Sequence, residues 1–261
     1  MTSRLEFAIE VARRAGDFAK AHFDLFDLLV IESKGHQDIV SNADKDTELL
    51  IRAAIEEQWP DDGIVGEEHG RKHGTSGFDW VIDPIDGTAN FVRGIPQWCV
   101  AIALAKDGEA VVGVINEPCS GELFHASKDG GTFCNGKPIR VSQAASIGEG
   151  SIGTGFSGRV HGGNIVKAID RIVSGGGVFF RNASGALMLA YVAGGRLLGC
   201  IEEHMNSWDC LAGLLMIKEA GGVIVQPDPA TSLDQGTVVI GAGPNVFAVI
   251  RQIAQDSFDD I

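Results

Sequence analysis

Asp83 and Asp86 stand three residues apart in DWVIDPIDGTANF, Asp79 to Phe91, around Pro84 and just ahead of a Gly–Thr pair. Upstream, Gly66-Glu67-Glu68 ends another short apolar run, and Asp209 follows Trp208 at the start of a candidate helix. Each acid taken singly has an ordinary explanation. Asp83 or Asp86 serves as a turn residue or helix cap, Glu67 as a solvated loop acid, Asp209 as a first-turn acid favoured by the helix dipole. Four acids at element ends ask for more. Two neighbouring strand ends would bring Glu67, Asp83 and Asp86 to one point, with Pro84 predicted to stop the strand and stiffen the turn. Hard divalent cations take oxygen ligands; Mg²⁺ uses a few carboxylates and completes its shell with water and phosphate oxygens. Gly87 and Thr88 are predicted to open a helix whose unpaired N–H groups receive phosphate oxygens. Metal beside an anion-binding turn is the equipment of phosphoryl hydrolysis.

The elements that must position these residues follow from periodicity. Leu5, Ala8, Ile9, Ala12, Ala15, Ala19 and Phe23 recur at helical spacing between charges, which predicts an amphipathic helix from Ser3 to Phe23. Ile39-Val40 reads as a short extended piece, and Ser41 or Asn42 as the cap of a second helix running to Trp59. Ile64-Val65-Gly66 and Trp80-Val81-Ile82 read as buried strands. WCVAIALA, EAVVGVI, ELFHAS and TFCNGKPI, separated by KDG, a Pro/Ser/Gly turn and KDGG, read as an antiparallel meander from Trp98 to Val141. The second half alternates strand and helix, with helices predicted at Asn164 to Val173, Ser184 to Ala193, Ser207 to Ala220 and Asn245 to Ala254. The expected architecture is an α+β half, residues 1–145, followed by an α/β half, residues 146–261, with the boundary in SQAASIGEG.

Composition narrows the function. The formal charge is −14 over 261 residues and no Lys/Arg cluster interrupts it, which argues against a nucleic-acid surface. It also means that a bare acidic site would repel an anionic substrate, a difficulty that bound cations remove. No apolar run is long enough for a membrane span, and the charged N-terminal segment does not read as a signal peptide. Five cysteines without a CxxC pair read as reduced, buried thiols. The expectation is a cytoplasmic protein.

GEE, DPIDGTANF, SWDCLAG and EAGG, in this order, resemble the signature blocks of the inositol monophosphatase family, the lithium-sensitive, Mg²⁺-dependent phosphatases. The resemblance covers nearly the whole chain. It implies a layered sandwich of alternating helices and sheets, two or three Mg²⁺ per site, a small phosphorylated metabolite as substrate and a homodimer. By position it implies that Glu67, Asp83, the Ile85 carbonyl, Asp86 and Asp209 hold metal, Asp83 bridging. Gly87 and Thr88 would bind phosphate, while Glu67 and a Thr88–Asp44 pair would activate the water. Lys34 matches a lysine near the site in relatives.

The alcohol is less strongly marked. Glu202, seven residues before Asp209, matches a glutamate that hydrogen-bonds inositol hydroxyls in the family, and Ala183, Ser184 and Gly185 fall on its substrate-side loop with altered order. NFVRGIPQW resembles the histidinol-phosphate phosphatases of the same superfamily equally well, and an acid at 202 suits a cationic amine. The resemblance therefore implies an inositol monophosphate phosphatase, with histidinol phosphate as the alternative. Because some bacterial relatives also bind the transcription machinery, an interaction or regulatory protein with secondary or vestigial phosphatase activity is the alternative of another class.

Overall fold

The computed structural model describes residues 3–35, 38–156 and 162–259. Helix α1 (Arg4–Phe23) begins at a Ser3/Glu6 capping box and α2 (Asn42–Gln58) at a Ser41/Asp44 one. Both lay apolar stripes on one face of an eight-stranded sheet: Phe7, Val11, Ile51 and Ile55 meet Ile64, Trp80, Ile82, Val100, Ile102 and Leu104. The side-chain period of two sends Val81, Ala101 and Ala103 to the opposite face. There, after the one-turn α3 (Thr88–Phe91) and α4 (Gly162–Ser174) in chain order, they meet α5 (Gly185–Ala193) and α6 (Ser207–Glu219). The alanines on this face let α6 approach closely.

Helices α5 and α6 are apolar nearly all round because a second sheet, of five strands, covers their other side through Cys200 and Val239. The far face of that sheet, with Ile152, Ile201 and Ile240, is closed by α4 and, after the short α7 (Ser232–Gln235), by α8 (Phe247–Gln255). The order helices, sheet, helices, sheet, helices is the layered sandwich expected. In the large sheet only Gly63–Gly66 and Phe78–Asp86 run parallel; the rest is an antiparallel meander. The small sheet is mixed: Ser151–Thr154 pairs in parallel with Val178–Phe180 and Gly199–Met205, whereas Thr237–Ala242 is antiparallel to its neighbours. Among the described residues no helix is long and apolar enough to cross a membrane.

Two local expectations are corrected. Pro84 does not stop its strand: Phe78–Asp86 runs through it, and the pairing shifts between Asp83 opposite Ala101 and Asp86 opposite Cys99. Proline is accommodated because a bulge removes the demand for its missing N–H. The helix opened by Gly87 is one turn long, so its dipole is small and anion binding there would rest on individual N–H groups.

Candidate active site

The bulge brings both aspartates of DPID to one side. Carboxylate oxygens of Asp83, Asp86 and Asp209 all lie within 4.8 Å of one another, with Asp83 and Asp86 buried and Asp209 half-buried. Glu67 ends the parallel strand beside them, its N–H donating to the Ile82 carbonyl at 3.3 Å. Burial and the charges of Glu67, Asp86 and Asp209 together hold the Asp83 carboxyl well above the ordinary carboxylate range.

Each acid is also fastened to a backbone terminus. Asp83 Oδ1 accepts from Ile85 N at 3.0 Å. Asp209 Oδ2 accepts from Asn206 N at 3.1 Å, closing a capping box on α6. Asp86 caps α5 from across the molecule: Ser184 Oγ (2.6 Å) and Ala186 N (2.7 Å) donate to its Oδ2, and Gly185 N (3.2 Å) to its Oδ1. Burial raises the Asp86 carboxyl while these donors pull it down. The ordinary capping roles and the convergence therefore coexist, because a carboxylate has two oxygens and lone pairs to spare.

Asp44 is fully buried. Its Oδ2 accepts from Ser41 N (2.9 Å) and Ser41 Oγ (2.6 Å), and Thr88 Oγ1 stands 2.9 Å from its Oδ1. Thr88 Oγ1 is also 3.0 Å from the Ile85 carbonyl, so one hydroxyl proton faces two acceptors. Burial raises the Asp44 carboxyl. Gly87 adopts φ +100°, and an added Cβ there would sit 3.0 Å from the Gln97 carbonyl, so the position requires glycine.

Asp86 and Asp209 open on a cleft of about 140 Å³ lined also by Glu202, Gly155, Phe156 and Arg181, among others. Ala183, Ser184 and Gly185 line it too, although the Ser184 hydroxyl is engaged with Asp86. Ala183 is in the left-handed region, φ +60°. Arg181, its guanidinium 5.5 Å from the Phe156 ring centroid, was not singled out from sequence; an arginine directly after an apolar strand carries no pattern. Lys34 falls in the strand Ile31–Gly35, and its side chain lies outside the described residues.

A nest of hard carboxylate oxygens between two sheets, beside a glycine turn, defines a candidate centre for divalent cations, and the donor set fits Mg²⁺. The model of the inositol monophosphatase family matches residues 1–257, and the chain belongs to that family. It is 38% identical over 241 residues to an inositol-1-monophosphatase of Mesorhizobium japonicum, covering 91% of each chain. To the Nus factor SuhB of Escherichia coli it is 35% identical over 263 residues, covering 100% of this chain and 98% of that protein. The crystal structure of the extragenic suppressor protein suhB from Bartonella henselae superposes with a TM-score of 0.91 at 29% identity, covering both chains completely.

Proposed function

We propose that the chain is a Mg²⁺-dependent phosphoric monoester hydrolase acting on inositol monophosphate. The observation that carries this reading is the convergence of the Asp83, Asp86 and Asp209 carboxylates beside the Gly87–Thr88 turn. Glu67, Asp83, the Ile85 carbonyl, Asp86 and Asp209 would hold Mg²⁺ there, two or three ions per site, which would supply charge neutralisation and Lewis-acid activation of water. The N–H groups of Gly87 and Thr88 orient the phosphate. As the water oxygen attacks phosphorus and the ester P–O bond breaks, Thr88 Oγ1 accepts a proton from that water while its own passes to Asp44 Oδ1, 2.9 Å away, and the departing alkoxide takes a proton from solvent. Burial makes Asp44 a stronger base than an ordinary carboxylate, which suits it to that task. Asp44 keeps its other oxygen on Ser41, so the dyad stays aimed while the proton moves.

Glu202, almost buried in the cleft wall, would accept from the hydroxyls of the departing alcohol, with Ala183, Ser184 and Gly185 framing it. The same carboxylate suits the amine of histidinol phosphate, which is the alternative monoester. Relatives bearing the name Nus factor SuhB support a second reading, a regulatory role alongside or in place of catalysis. The working form in this reading is a cytoplasmic homodimer, as the resemblance to the family implies.

The test is phosphate release at millimolar Mg²⁺ from inositol 1-phosphate, histidinol phosphate, fructose 1,6-bisphosphate and a 3′-phosphonucleotide. Turnover highest on inositol 1-phosphate and abolished by chelation is expected. Preference for histidinol phosphate selects the alternative. Failure to hydrolyse any ester, with Asp86→Asn indistinguishable from the parent, overturns the enzymatic reading.

A further inference from the structure

Helix α2 carries a second buried acid one turn beyond Asp44. Glu48 is wholly inaccessible to solvent, yet no charged cluster of the cleft includes it. Its Oε2 accepts from the Glu68 backbone N–H at 2.7 Å, and its Oε1 from the His69 N–H at 3.2 Å and from Arg52 Nε at 2.6 Å. Arg52 passes on to the Gly70 carbonyl through Nη2, and the His69 ring meets the Lys45 carbonyl at 3.2 Å. Every residue from Glu68 to Gly70 is thus tied to α2, immediately after Glu67. The glycine of GEE has the same explanation: a Cβ on Gly66 would collide with Glu48 Oε1 and Arg52 Nη2.

We infer that Glu48, aimed by Arg52, is the positioning residue that sets Glu67 against the aspartate cluster. A Glu–Arg pair four residues apart on a helix is ordinary and contributes little when exposed. Here Glu48 is inaccessible to solvent and Arg52 half-buried, and Glu48 gives its Oε2 to the turn rather than to the arginine. Burying a carboxylate is costly unless its lone pairs are filled, and here backbone N–H groups of the turn fill them. Removing the carboxylate strands those N–H groups and frees the turn, and Glu67 moves with it. Asp44 and Glu48 then share a logic: successive turns of one helix hold the Thr88 hydroxyl and the Glu67 turn in a common frame.

The inference rests on the metal-site reading above, and the experiment separates the two. Mg²⁺ dissociation constants are measured calorimetrically on the full chain without substrate, for the parent, Glu48→Ala, Glu48→Gln and Asp83→Asn, alongside melting curves. Disturbing groups behind metal ligands weakens binding about 10–100-fold, and Glu48→Ala is expected in that range. Glu48→Gln keeps an oxygen for Glu68 but turns an amide NH₂ toward His69 N–H and Arg52; a loss of about 5-fold, one hydrogen bond's worth, is expected. Kinetically, the Mg²⁺ requirement should rise while KM for substrate stays put. Should Glu48→Ala not fold, Glu48→Gln decides. Parental Mg²⁺ affinity in Glu48→Gln, or in a folded Glu48→Ala that merely melts lower, overturns the inference. If Asp83→Asn also binds Mg²⁺ like the parent, the metal site itself is misplaced and the inference falls with it.

Discussion

The floor and the wall of the cleft are built differently. On the floor, Asp44, Asp83 and Asp86 are buried, and each is held by N–H or hydroxyl donors at helix or strand termini. On the wall, Arg181 is exposed and rests on an aromatic face, and Ala183 sits in a strained backbone conformation. Groups whose positions are over-determined suit the chemistry common to every monoester. An exposed group such as Arg181 suits a variable alcohol, because a change there disturbs little else, whereas Glu202, Ser184 and Gly185 on the same wall are buried or bonded to Asp86.

Breaking the floor should have the largest effect. Asp83→Asn removes a buried carboxylate of the proposed cation site, and kcat should fall about 10²–10³-fold, the scale of losing one preorganised electrostatic group. Because the ionised Asp83 is disfavoured by its neighbours, the apoprotein should melt no lower than the parent; a collapse of the melting temperature would recast Asp83 as structural. On the wall, Glu202→Gln should act on recognition, raising KM for inositol 1-phosphate about 10-fold with kcat nearly kept, as expected for a lost hydrogen bond to a charged group. Equal loss in kcat would move Glu202 to the floor.

The pH dependence sharpens the contrast further. Asp83 and Asp86 have folded-state carboxyls raised above their unfolded range. Their contribution to stability is complete below the unfolded range and is lost as pH rises through the folded values. Metal-free protein should thus lose stability across that rise, and Mg²⁺ should restore it, reading as a widening gap between melting curves in chelator and in Mg²⁺. A gap constant with pH would contradict the carboxylate assignment. The smallest effect belongs to the wall: Ala183→Gly relieves a left-handed alanine and should stabilise by about 1 kcal/mol, seen as a modest rise in denaturant midpoint. Destabilisation would mean that the alanine methyl is needed in the cleft.

Much of this was legible in the chain because the signals were local. Asp107-Gly108, Asp129-Gly130 and Asn135-Gly136 mark the meander's turns, and Asp107, Asp129 and Asn135 all take positive φ there. Helical spacing placed the start of α1, and the Ser41 or Asn42 cap that of α2, each to within a residue. Pro84 was misread because a proline argues against a strand unless a bulge excuses it, and bulges leave no mark in one sequence. Of the site, the four acids advertise themselves by sitting at element ends. Glu48 does not: on the helical wheel it is one more polar residue of α2, and only the turn folded over it makes it buried. Arg181 likewise acquires meaning only once Phe156 and Glu202 are brought beside it.

Asp86 joins the floor to a helix that begins about a hundred residues later: its carboxylate is the cap of α5, and Asp209 reaches the cluster from α6, the next helix along. Contacts of such sequence separation form late in folding, since their loops must close before they are rewarded. A partly made chain that lacks α5 and α6 therefore lacks the cap of Asp86 and the Asp209 carboxylate. A nascent chain that has emerged only through the meander carries Glu67, Asp83 and Asp86 without the helix that caps one and the aspartate that completes the set. If these acids hold cations as proposed, a refolding trace followed by metal binding should lag one followed by helix content.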